Sequence, residues 1–97
     1  MVYLTSVGIF RLGADSIQTQ NMSDFVRKCS GKPEVYESED MLVKDAKKNR
    51  FSHVLVFDID AFNANSIREL EKLDIRIFTF RHREILKQEL SRKVMDI

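Results

Sequence analysis

The sequence predicts an α/β fold of three layers, a four-stranded, mostly parallel sheet with flanking helices. Three observations predict it. Val54–Ile59 is a nearly unbroken apolar run, mostly β-branched or aromatic and without period-two alternation, as suits a central strand covered on both faces. Around it, β-rich runs alternate with helical stripes in the order βαβαβαβα, which implies parallel strands joined by right-handed crossovers. Lastly, 97 residues with 43% hydrophobic and 32% charged side chains can bury one core, giving a single domain over 1–97.

Each element has its own local cause. Val2–Phe10 reads as the first strand, and Arg11–Ser16 as a loop with a flexible Gly13 and N-cap candidates Asp15 and Ser16. Met22, Phe25, Val26 and Cys29 then recur at i, i+3, i+4 and i+7, one apolar helical stripe. Ser30-Gly31-Lys32-Pro33 stops that helix, with Gly31 expected in the left-handed cap. Glu34–Ser38, around Val35 and Tyr36, is the weakest strand and belongs near an edge. Ser38-Glu39-Asp40 opens a second helix with a hydroxyl cap and acids facing the dipole. Its narrow apolar face is Leu42, Val43 and Ala46, with Asp40 and Lys44 spaced to pair. Beyond the central run, Ser66–Glu69 spells a capping box for a short helix with Ile67, Leu70 and Leu73 inward. Ile75–Phe80 is the fourth strand. From Arg83 a last helix carries Leu86, Leu90 and Val94 on one stripe, with Ile85 and Ile97 beside it.

Composition excludes several classes. The formal net charge is +1, so no strong global field draws the chain to nucleic acid or membrane. Charge is mildly polarised, with four basic and six acidic residues up to Asp40 and twelve against nine beyond it. Cys29 is the one cysteine, so no internal disulfide forms, and its place on an apolar stripe suits a small buried hydrophobe. Val2–Phe10 is too short and interrupted for a signal peptide or a membrane span, so a cytoplasmic location and no membrane partner are expected. The histidines and the cysteine show no metal-ligand spacing.

In open α/β sheets chemistry gathers at the carboxyl ends of the strands. Asp58 and Asp60 end the central run and are the first candidates there; such carboxylates can hold Mg²⁺. Their D-x-D is similar to the first motif of haloacid-dehalogenase-type phosphatases, which would make the chain a divergent Mg-dependent phosphotransferase. Phe62 stands where that motif has a small Thr or Val.

A wider pattern covers Tyr3 to Phe80. Ile9-Phe10-Arg11-Leu12-Gly13 closes the first strand, and Ile17-Gln18-Thr19-Gln20 opens the first helix. Ile59-Asp60-Ala61-Phe62-Asn63-Ala64 follows the central run, and Asn65-Ser66 opens the next helix. In strand order and spacing the chain resembles the catalytic domain of the serine recombinases (resolvases and invertases). Their first strand ends in Y-x-R-V-S, their helix begins L-x-x-Q, and a later strand ends in L-D-R-L-x-R. The resemblance implies a resolvase-like fold, a vestigial pocket at Arg11, Gln20, Asp58 and Asp60, and a bacterial, phage or mobile-element origin. Gly13 then stands at the nucleophile, Ala61 and Ala64 at two phosphate-holding arginines, and Ser38 near the place of a third. Phosphoryl transfer needs an activated nucleophile and cations on the developing charge. Even Ser16, as a substitute nucleophile, would lack those arginines. The expectation is a protein that is not an enzyme, with no catalytic residue, cofactor, metal or small-molecule substrate.

What remains is interaction. The resemblance implies that the last helix is a truncated dimerisation helix, with no DNA-reading domain after it. Arg81, Arg83, Lys87, Arg92 and Lys93 flank its apolar stripe, so a homodimer or a protein partner is expected there, unless the stripe packs on its own sheet. The alternative is weak DNA binding through Arg11, the cluster Lys44, Lys47, Lys48 and Arg50, and the basic last helix.

Overall fold

The computed structural model describes residues 5–95, and side chains from 5 to 91. Four strands, β1 (Thr5–Phe10), β2 (Gly31–Tyr36), β3 (His53–Val56) and β4 (Arg76–Thr79), form one all-parallel sheet in the order β2-β1-β3-β4. Val7 pairs with both Pro33 and His53, and His53 with Arg76, which sets the register across all four. Four helices connect and flank them: α1 (Ser16–Lys28), α2 (Glu39–Lys47), α3 (Ala64–Lys72) and α4 (Arg83–Met95). Two short 3₁₀ turns, Ile59–Ala61 and Phe80–His82, follow β3 and β4.

Strand alternation divides the core in two. Phe10, Val54 and Val56 pack with Leu42 and Ala46 of α2 and Leu70 of α3. Val7, Ile9, Leu55 and Phe78 point the other way, onto Met22 and Val26 of α1 and Leu86 and Leu90 of α4. The chain turns one way at β1–β2 and the other way afterwards, so right-handed crossovers put α1 opposite α2 and α3. The two clusters meet that requirement.

The expected stripes of α1 and α2 are present, with Met22, Val26, Leu42 and Ala46 buried. The edge position of β2 also matches the expectation, although the strand begins at Gly31 and ends at Tyr36. Three other expectations need correction. First, Ser30, not Gly31, takes the left-handed conformation after α1, at φ 63°. Gly31 is committed to sterics instead, because a Cβ there would lie 2.8 Å from Val26 Cγ1 and 3.3 Å from the Thr5 carbonyl oxygen. Second, α3 starts at Ala64 with Asn63 as N-cap, whose side chain accepts from Asn65 N–H at 2.8 Å. The capping box belongs to α1, where Asp15 and Gln18 bond reciprocally at 2.7 and 2.9 Å. Leu73, expected inward, is the C-cap of α3 and stands as exposed as Ile59, at 38%. Third, of the two uses open to the last helix, Leu86 and Leu90 take packing on the sheet and α1 over a bare stripe for a second copy, while Ile85 beside them stays exposed. The expected start of the first strand at Val2 and the side chains of Arg92, Lys93, Val94 and Ile97 lie outside the described residues.

Candidate site at the carboxyl edge of the sheet

The loops after β1, β2 and β3 converge where the strand order reverses, the usual place for a ligand in an open parallel sheet. Three contacts join them. Arg11, just past β1, donates to Glu37 Oε1 after β2 at 3.1 Å. Glu39, in the first turn of α2, accepts the Asn63 N–H ahead of α3 at 2.5 Å. Gly13, at φ 89°, lies so close to the β3 loop that an added Cβ would sit 3.4 Å from Asp58 Cβ and 3.9 Å from Ala61 Cβ. A cavity of about 320 Å³ opens beside this loop, lined by Arg11, Leu12, Gly13, Ala14 and Glu37.

The structure therefore gathers Arg11, Gly13, Asp58 and Ala61, and the sequence pairs Asp60 with them through the 3₁₀ turn. Asp58 is occupied as the cap of that turn, its Oδ1 accepting the Asp60 N–H at 3.0 Å. Gln20 is not brought in, since it lies on the exposed side of α1 and donates to Asp24 Oδ1 at 2.9 Å. Among the described residues no group of three or more His, Cys, Asp or Glu is arranged to hold a metal ion. Neither Gly13 nor Ala61 offers a reactive atom, and the Arg11 guanidinium is already shared with Glu37.

The basic candidates do not form one surface. Lys44 lines a groove between α2 and α3, and Lys47 pairs with Glu69 across it at 3.4 Å. Lys48 caps the far end of α2. Arg81, Arg83 and Lys87 lie on the other face, with Arg83 stacked 4.7 Å above the Phe80 ring and donating to the Phe80 carbonyl. Arg11 is at the opposite edge from Lys48. A single nucleic-acid track through all of them is thus divided between two faces and two edges of the sheet.

Sequence patterns missed two features. One is a buried polar clamp: His53, 4% exposed, bonds Ser52 Oγ through Nδ1 at 2.8 Å and Glu89 Oε2 through Nε2 at 3.2 Å. Arg76 also pairs with Glu89, so the clamp fastens α4 to β3 and β4. No local motif announces it, because Arg76 and Glu89 lie far from His53 in sequence. The other is an apolar and acidic rim at the carboxyl ends of β1, β2 and β3, while Arg81 and Arg83 follow β4 on the same edge. Leu12, Ile17, Met41 and Ile59 are four of the seven large apolar side chains that stand exposed among the described residues, with Ile17 at 73%. Segments 11–16, 37–41 and 57–63 also hold six carboxylates against the single Arg11. Cys29 is partly buried, and burial pushes its thiol pKa up against the opposing pull of Lys87, which suits packing rather than reactivity.

Comparison with protein-family models, curated proteins and solved structures found no match. No helix among the described residues is long and apolar enough to cross a membrane.

Proposed function

We propose that this chain is a non-catalytic, serine-recombinase-like domain that acts as an interaction module, by self-association or by binding a partner protein. One observation carries the proposal: the carboxyl edge, where an α/β enzyme would keep its reactive groups, holds exposed leucine, isoleucine and methionine side chains. The positions that the resemblance assigns to the nucleophile and an arginine hold Gly13 and Ala61, and a Cβ added at Gly13 would meet Asp58 and Ala61. Binding is accordingly assigned to this edge in preference to α4, whose leucines are spent on the sheet.

Light scattering on the full chain, alone and with proteins captured from its host, tests the proposal. A dimer or a defined complex is expected, weakened by Leu12→Ser with Ile17→Ser and unaffected by Lys87→Glu. A monomer that captures nothing would overturn it, as would turnover of phosphoesters. Gly13→Ser alone should leave supercoiled DNA uncut, because Arg11 is paired with Glu37 and Ala61 and Ala64 stand where the resemblance expects arginines to stabilise the transition-state charge. Its left-handed backbone further opposes the substitution.

A further inference from the structure

We infer that the carboxyl edge binds a cationic amphipathic segment of a partner protein. This rests on the interaction module proposed above and adds the chemistry of the occupant. The apolar component is physical: Leu12, half exposed, lines the cavity of about 320 Å³, and Ile17 and Ile59 project from the neighbouring turns. The three loop contacts tie the segments that carry Leu12, Met41 and Ile59 together at one edge, where Ile17 opens α1. Charge complementarity selects the occupant. Asp15, Asp40, Asp58 and Asp60 are exposed around the apolar side chains, and the Arg11 guanidinium beside them is neutralised by Glu37. An anionic partner would meet repulsion there, and a neutral apolar one would leave the carboxylates unanswered. A segment with leucine-like side chains on one face and lysines or arginines beside them satisfies both components. The recognition mode is a helix face laid against an apolar patch.

The probe is a synthetic helical peptide of about 18 residues built from leucine and lysine, with a leucine–glutamate counterpart of the same pattern. Binding to the full chain is read by fluorescence anisotropy and by backbone amide shifts. The lysine peptide should bind at least about tenfold tighter than the glutamate peptide and lose affinity between about 50 and about 300 mM salt. Its shifts should centre on Leu12, Ile17, Met41 and Ile59. Ile17→Ser should weaken it severalfold, as should Asp58→Asn with Asp60→Asn, while Glu71→Gln with Asp74→Asn at the opposite edge should not. Shifts centred on that opposite edge, equal binding of the two peptides, or no binding of either would overturn the inference. Tighter binding of the glutamate peptide at Leu12 and Ile17 would overturn it too and yet leave the interaction module standing. Failure of the module itself is separate: it is the partner-free monomer in light scattering.

Discussion

The two edges of this sheet are made by the same strands and helices and yet are built differently. At the amino edge, α1, α2 and α3 each end in a residue with left-handed backbone, Ser30, Asn49 and Asp74, at φ near 60°. After α2, Asn49 N–H bonds the Ala46 carbonyl and Arg50 N–H the Asp45 carbonyl; after α3, Asp74 and Ile75 repeat this with Glu71 and Leu70. Each closes the helix on itself and turns the chain straight into the next strand. The carboxyl edge uses side-chain caps instead, Asp15, Ser38, Asp58 and Asn63, and leaves large apolar groups in water. Charge is partly sorted as well: Asp15 caps α1 and Glu39 and Asp40 open α2, while Arg27, Lys28, Lys47 and Lys72 lie in last turns, each sign meeting the dipole it complements. The amino edge is thus explained by folding alone. The exposed apolar side chains of the other edge are not.

Substitutions at each edge can break or sharpen that contrast. The largest effect is expected at Gly31, where Ala must displace Val26 or its carbonyl and should cost about 1–3 kcal/mol in denaturant titration. Tyr36 tests the one strong tie near the carboxyl end of β2, a hydrogen bond to Asp45 Oδ2 at 2.6 Å. Tyr36→Phe should cost about 1 kcal/mol at neutral pH. Burial first, and then that bond, hold the Tyr36 phenol well above its ordinary range. The folded chain keeps the proton after the unfolded chain releases it at about pH 10, so this stabilisation is whole below that pH and fades as pH rises through the folded value. Melting temperatures followed into alkali should therefore fall less steeply for the phenylalanine variant. Ser30→Gly relieves a left-handed non-glycine residue and should raise stability by about 0.5–1 kcal/mol, an amount resolved by paired thermal melts. Smallest of all, Ile17→Ser should shift stability by less than about 0.5 kcal/mol. A large loss there would mean that the carboxyl edge is also a folding device, and the contrast would collapse.

Much of the architecture was legible in the residues. The apolar run at Val54 marked a strand covered on both faces, and the stripes through Met22, Leu42 and Leu86 marked helices that face the sheet. Alternation of the two then fixed parallel pairing. Where local signals competed, the sequence misled. Ser30-Gly31 contains one residue suited to a left-handed turn, and the tight approach of Val26 claims it for another purpose. Ser66–Glu69 spells a cap, but Asn63 lies a turn earlier and is anchored through its own N–H to Glu39. The candidate site was half legible. Spacing brought Arg11, Gly13, Asp58 and Asp60 to one edge, but nothing local distinguished Leu12 and Ile17 from core residues, since an isoleucine reads the same in water as in a core. The His53–Glu89 clamp was out of reach because it depends on how α4 lies across the sheet.

The central place of β1 has a consequence for how this chain reaches its native state. Strand β1 is flanked on one side by β2 and on the other by β3, which is synthesised only after two helices have intervened. No neighbouring strands are joined by a tight turn, so every ladder waits on closure of a helix-length loop. Assembly should be slow for a domain with these connections, with β1 kept incomplete until His53–Val56 have emerged.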